Sequence, residues 1–220
     1  MSNESNISYK QEILRKGIHL ASLSIPISYI FFTRENMLSV LVPATILFVI
    51  FDILSKNVQF FINLMLKYFG QMLRPHEKKG KGFFNGATWV LISATICVLA
   101  FPKIITITGF TILIISDICA ALIGRRFGKH GFFDKSWEGT ISFIVSAIAI
   151  IFIYYNLFDL PFSYLIIGVI AATIGGFVEA VSKVIKIDDN LSIPISVGLV
   201  MLAGEYFYGL SGQSFLGFLN

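Results

Sequence analysis

Seven stretches of this chain are apolar enough and long enough to require a bilayer around them: residues 17–33, 37–55, 83–101, 104–123, 140–158, 163–182 and 191–208. About 20 predominantly apolar residues cross a hydrocarbon core as a helix. Peptide groups find no water there, so runs of this length are expected to be helical. The composition agrees: 55% of the 220 residues are hydrophobic and 14% are charged, where a soluble domain carries about 25% charge. The expected fold is all-α, a polytopic transmembrane helical bundle of about seven spans, with residues 1–220 forming one integral membrane domain.

The charges set its orientation. With the N-terminus inside, Lys10, Arg15, Lys16, Lys56, Lys67, Arg74, Lys78, Lys79, Lys81, Arg125, Arg126, Lys129, Lys135, Lys183 and Lys186 share the inner side. Arg34 and Lys103 remain outside. This bias meets the positive-inside rule at every loop and predicts a cytoplasmic N-terminus, in the cytoplasmic membrane of a bacterium or an endoplasmic-reticulum-type membrane. Arg15 and Lys16 precede the first run as in a signal peptide, but no small-x-small cleavage site follows, so a retained span is expected. Residues 57–73 are apolar but interrupted by Lys67, which predicts an interfacial or re-entrant helix. The net charge of +4 is dispersed over short loops. Lipid headgroups and nucleotide phosphates suit it as counter-charges, and nucleic acid does not.

A few polar residues break this pattern. Asp117 stands alone in an apolar run, seven residues before Gly124, hence about 10 Å deeper along a helix. Intramembrane acids are costly and face a polar cavity or a partner. Glu179 repeats the arrangement on another helix at a similar depth. Two such carboxylates could share a hard cation such as Mg²⁺, or one could deprotonate an attacking hydroxyl. The expected loop 124–139 adds Gly124, Gly128 and Gly131, where backbone can approach an anion. Arg125, Arg126, Lys129 and Lys135 can neutralise phosphate oxygens. Ser136 and Glu138 follow, in a run that sidedness alone does not require. Asp188, Asp189 and Asn190 open the last helix as a cap or as metal ligands. Arg15, Lys16 and His19 begin the first span, with Arg15 and His19 one turn apart. Together these predict a membrane enzyme. Its catalytic candidates are Asp117, Glu179, Lys135 and Glu138, and its metal candidates are Asp117, Asp188 and Asp189. Arg15, Lys16, Gly124, Arg125, Arg126, Gly128, Lys129, Ser136 and Asn190 are the candidates for binding a nucleotide.

Four blocks carry a family resemblance: Glu12-x-x-Arg15-Lys16-x-x-His19; Asp117-x-x-Ala120-Ala121-x-x-Gly124-Arg125-x-Phe127-Gly128; Lys135-Ser136-x-Glu138-Gly139; and Asp188-Asp189-Asn190-x-x-Ile193-Pro194. In order and spacing the chain resembles the CTP-dependent lipid-alcohol kinases, which include dolichol kinases, phytol kinases and the yeast-type diacylglycerol kinase. The resemblance implies phosphoryl transfer from CTP to the hydroxyl of a membrane lipid alcohol (polyprenol, phytol or diacylglycerol), with Mg²⁺. Asp117 and Gly124 would belong to the nucleotide and metal centre, and Arg15-Lys16 would be essential helpers. The related phosphatidate cytidylyltransferases are the alternative, with a different bond made to the nucleotide. A transporter would use the acids as an ion path but leaves the one-sided blocks unexplained. The small-residue stripe Gly168-x-x-x-Ala172 with Gly175-Gly176 would permit a homodimer.

Overall fold

The computed structural model describes residues 9–70, 84–209 and 214–216. Arg74, Lys78, Lys79 and Lys81, and the end of the 57–73 segment, lie outside the described residues. Nine helices are described: α1 (Tyr9–Ala21), α2 (Ser24–Phe31), α3 (Arg34–Asn57), α4 (Gln59–Phe69), α5 (Gly86–Ala100), α6 (Lys103–Phe127), α7 (Trp137–Leu157), α8 (Phe162–Val181) and α9 (Asp189–Gly209). Between α6 and α7 a two-stranded antiparallel hairpin pairs β1 (Gly131–Phe132) with β2 (Lys135–Ser136). The protein is thus an all-α membrane bundle. Five helices (α3, α6, α7, α8 and α9) are long and apolar enough to span a membrane, and α5 is a shorter apolar helix.

The expected first span, 17–33, is two helices. Pro26 has no N–H for the Ser22 carbonyl, so Ile25 N takes that carbonyl at 3.0 Å, one residue short of α-helical spacing. Ser22 and Leu23 donate to His19 and Leu20 in the same tightened way, a turn of 3₁₀ type. The expected first span is therefore a broken segment, α1 followed by α2. Helix α4 has 11 residues, about 16 Å of rise, too short to cross and in keeping with an interfacial helix.

Helix α6 is the centre. Most of its length is buried, and it packs against α7, α9, α2, α1 and α5. Hydroxyl pairs join it to its neighbours: Thr108 Oγ1 to Tyr164 OH and Thr111 Oγ1 to Tyr154 OH, both 2.8 Å, with Thr106 Oγ1 donating to Cys97 O at 3.0 Å. Such bonds matter in lipid, where apolar contact alone gives helices little reason to associate. The stripe on α8 is filled inside the protomer. A Cβ on Gly168 would strike Ile151, one on Gly175 would strike Val197, and one on Gly176 would strike Ile144.

The helix ends sort into two groups. At one end, Arg34 caps the last turn of α5 through the Val98 and Leu99 carbonyls, and Lys103 lies over the Tyr29 ring. These are the two cations expected outside. The opposite end gathers α1, the end of α3, the starts of α5, α7 and α9, and the ends of α6 and α8.

At that second end, α6 and α7 meet through glycine. Helix α6 continues through Gly124 to Phe127, so the connection is shorter than the expected 124–139 loop. A Cβ on Gly139 would lie 3.0 Å from the Ala120 carbonyl oxygen and 3.3 Å from Gly124 Cα. One on Gly128 would lie 2.7 Å from Ser136 Oγ. These glycines allow close contact between the end of α6 and the start of α7. Because the obstacle at Gly139 is backbone, Gly139→Val is expected to cost about 1–3 kcal/mol. It should lower the thermal unfolding midpoint in detergent micelles, and an unchanged midpoint would contradict this helix contact.

Candidate active site

The polar residues of four helices and the hairpin converge at the second end. Helix α1 is polar on the side that faces the protein: Glu12 and Lys16 are buried, while Ile13, Leu14, Ile18 and Leu20 on its other side are about half exposed. Positions 12, 16 and 19 share a face by helical spacing, and that face lies on α6. There the Lys16 ammonium binds Asp117 Oδ2, with both side chains buried. His19 Nε2 lies 3.7 Å from the same oxygen and has no hydrogen-bond partner.

A second cation–carboxylate pair closes the site from the hairpin. Lys135 on β2 binds Glu179 Oε1 of α8 and lies 4.0 Å from Asp189 Oδ2 at the start of α9. Burial alone would lower the Lys135 pKa. Glu179, with Asp189 and Asp117 behind it, outweighs burial and holds the value above the usual lysine range. These carboxylates favour the charged form of Lys135. Asp189 is near enough for its charge to act on Asp117. Glu179 Oε2 is buried with no hydrogen-bond partner. Three carboxylates (Asp117, Glu179 and Asp189) thus face two lysines and a histidine in a water-poor site.

Glu12 lies at the rim with both oxygens engaged. Its Oε1 takes Arg15 at 3.1 Å and its Oε2 takes Arg125 at 3.1 Å. On the other flank, Asp52 of α3 is buried and accepts Asn85 N at 2.7 Å. Asn85 caps α5 through Thr88 N at 3.0 Å, and Gly86 beside it would bring a Cβ within 3.7 Å of Asn190 Nδ2. Asn190 in turn donates to Asp188 Oδ1 through both its backbone and side-chain nitrogens, at 3.0 and 2.7 Å.

No protein-family model and no solved structure matches the chain. Curated proteins do. An uncharacterized protein of Rickettsia prowazekii is 33% identical over 184 residues, covering 83% of this chain and 89% of that one. The CTP-dependent diacylglycerol kinase 1 of Saccharomyces cerevisiae is 28% identical over 88% of this chain and 73% of its own. A phytol kinase of Synechocystis is 29% identical over 46% of this chain and 44% of its own. The chain belongs to the family of CTP-dependent lipid kinases. It is an integral membrane enzyme, a lipid kinase.

Of the residues the sequence singles out, the kinase brings Lys16, Asp117, Lys135, Glu179 and Asp189 into one cluster, with Arg15 and Arg125 beside it. Others lie apart. Glu138 pairs with His130 Nδ1 at 2.8 Å on the outer side of the hairpin. Ser136 Oγ accepts Gly139 N at 3.2 Å as the N-cap of α7. Arg126 lies over Phe127, and Lys129 is exposed. Asp188 is engaged by Asn190, as a residue before a helix commonly is. Glu12, Asp52 and Glu205 are buried acids that sequence reasoning left without a site role. Asp52 sits inside α3 as Asp117 sits inside α6, whereas Glu12 lies in the first turn of α1, where an acid is common.

The cluster fixes an expectation. Asp117→Asn in this kinase leaves Lys16 buried without its counter-charge, which costs about 3–5 kcal/mol, and it should abolish activity. Adding Lys16→Met should restore much of the unfolding midpoint while activity stays absent. Recovery of activity in the double variant would show that the pair serves only the fold.

Proposed function

We propose that the enzyme transfers the γ-phosphoryl group of CTP to the hydroxyl of a membrane lipid alcohol, at the cytoplasmic face. The observation that carries this reading is the buried cluster of Lys16, Asp117, Lys135, Glu179 and Asp189 at the end of the bundle where the basic loops emerge. Phosphoryl transfer asks little covalent chemistry of a protein and much positioning of charge. Lys16 and Lys135 are the cations available to phosphate oxygens, with Arg15 and Arg125 at the rim. The acceptor's hydroxyl oxygen forms a bond to the γ-phosphorus, and the bond from that phosphorus to the bridging oxygen breaks, releasing CDP. The unpartnered Oε2 of Glu179 is the buried acceptor for the hydroxyl proton.

The donor set suits Mg²⁺ in part. Asp117 and Asp189 are hard oxygen donors near one another, and they are the residues that would hold the ion. Among the described residues no group of three or more His, Cys, Asp or Glu could hold a metal alone. Mg²⁺ commonly takes one or two carboxylates and completes its shell with substrate phosphates and water. When bound, the ion supplies charge neutralisation between the phosphates. A named yeast relative is a CTP-dependent diacylglycerol kinase and a cyanobacterial one a phytol kinase. Both acceptors present a hydroxyl at the interface with an apolar tail in the bilayer, so either class suits the site.

Purified protein in micelles with Mg²⁺ and CTP labelled at both α and γ positions, offered prenols, phytol, diacylglycerol and phosphatidic acid, tests the reading. The expected product is a lipid carrying γ-label, with CDP released, and chelation of divalent ions should stop the reaction until Mg²⁺ is restored. Lipid carrying α-label with pyrophosphate released would assign a cytidylyltransferase instead. Sidedness has its own measurement. Lys129→Cys should react with an impermeant thiol reagent only from the cytoplasmic side, and Asp159→Cys only from the other; the reverse pattern would refute the orientation.

A further inference from the structure

Two buried polar atoms at the contact between α7 and α8 have no partner. Thr140 and Glu179 are 0% and 2% exposed, and neither Thr140 Oγ1 nor Glu179 Oε2 makes a hydrogen bond. Close contacts fix how the two helices lie together. A Cβ on Gly168 would come within 2.6 Å of Ile151, and one on Gly176 within 2.5 Å of Ile144. As α8 advances from Gly168 to Gly176, α7 retreats from Ile151 to Ile144, so the helices are antiparallel and in close register. One turn beyond Gly176, Glu179 therefore comes level with Thr140, one turn before Ile144. By helical spacing Thr140 shares the face of Ile144 and Ile151, and Glu179 shares that of Gly168 and Gly176.

A hydroxyl on a helix commonly donates to the carbonyl one turn back. Thr95, Thr173 and Ser146 do so, to Leu91 O at 2.9 Å, Val169 O at 2.8 Å and Ser142 O at 2.8 Å. Thr140 does not. On the facing helix, Lys135 binds Glu179 Oε1 and leaves Oε2 as the unused half of the carboxylate. A buried polar atom without a partner is costly, and two at one level of one interface mark a place for a polar group that both can bond. A phosphate oxygen does not suit it, because the carboxylate repels it. A neutral hydroxyl does, since it can donate to Glu179 and accept from Thr140. The surface beside this place is apolar: Phe132 stacks on Trp137 with centroids 3.8 Å apart and meets Phe177 edge-on at 6.1 Å. Trp137, Ile141 and Phe177 are exposed there.

We propose that Thr140 and Glu179 form the binding site for the acceptor's hydroxyl, with the acceptor's apolar tail lying over Trp137, Ile141 and Phe177. This rests on the phosphoryl-transfer reading given above, in which Glu179 Oε2 takes the hydroxyl proton. One lone pair of the acceptor oxygen bonds to the γ-phosphorus as CDP departs, and the other stays on the Thr140 hydroxyl. Thr140 moves no proton; its hydrogen bond aims the oxygen.

Thr140→Val removes the hydroxyl and keeps the branched shape. Binding of radiolabelled dioctanoylglycerol and of radiolabelled phytol to the protein in micelles, without nucleotide, is the direct readout. The better-bound alcohol should bind the variant about five- to tenfold more weakly, the scale of one neutral hydrogen bond. Its kcat/KM should fall by a similar factor while the KM for CTP stays where it was. The deoxy analogue of that alcohol, with hydrogen in place of the hydroxyl, should bind wild type and variant alike. Because Thr140 Oγ1 has no partner within the protein, its removal should leave the unfolding midpoint unchanged or higher. A lower midpoint with alcohol binding intact is the signature of a role in the fold only, and it overturns the proposal. So does equal alcohol binding by wild type and variant, or binding of neither alcohol to wild type. If Thr140→Val does not fold, Thr140→Ser should retain most of the alcohol affinity and Thr140→Ala should lose it; equal affinities overturn the proposal. Transfer of γ-label to an alcohol whose kinetics the variant leaves unmoved sinks the Thr140 site and spares the kinase reading. Thr140-dependent alcohol binding in a wild type that transfers no γ-label does the reverse.

Discussion

A lysine and an aspartate, both removed from water, hold the polar end of this protein together. Separately, Lys16 and Asp117 would each be among the most expensive side chains to bury in a bundle of this kind. Together they turn α1 into part of the site, because each supplies the counter-charge that the other needs. Lys135 repeats the device with Glu179 and Asp189, and ties the hairpin to α8 and α9. Each pair joins elements far apart in sequence, so the site and the tertiary fold are specified by the same contacts.

The apolar part of the structure supplies the distances. Gly124 and Gly139 allow α6 and α7 to touch at backbone range, which brings the hairpin over the end of α6 and Lys135 within reach of α8. Hydroxyl pairs on α6 fix its rotation against α7 and α8, so Asp117 faces α1 and the acids. A small rotation of α6 would turn Asp117 toward another neighbour and leave Lys16 unpaired. The central helix therefore carries the register of the whole site, although most of its residues are plain hydrophobes.

Much of this was legible in the sequence. Apolar runs of spanning length located the five long spanning helices and the shorter α5, because length and hydropathy are local properties. Asp117 and Glu179 stood out because an acid in such a run has few cheap explanations. The break in the first span was harder, since it depends on one missing N–H at Pro26. The glycines at 124, 128 and 131 suggested a loop open to an anion; the structure continues α6 through Gly124, which meets Gly139 Cα of α7. A glycine pattern looks the same in both cases; only the facing helix tells them apart. Glu138 and Ser136, marked by the motif, hold His130 and cap α7 in the structure, contacts that the sequence alone did not indicate. Glu12 was marked only as part of a motif block and Asp52 not at all, because their partners, Arg125 and Asn85, are distant in the chain.

Helix α1 has its charged side inward and Ile13, Leu14, Ile18 and Leu20 outward. Water would favour the reverse, so hydrocarbon is the solvent that holds this helix in place. The outer wall of the site is then a single helix, about 10–12 Å thick, with lipid on its far side. An acceptor with a long tail could bring its hydroxyl to the cluster without leaving the leaflet. The membrane is in this sense a component of the enzyme: it supplies the substrate and also the pressure that keeps α1 seated over the charges it covers.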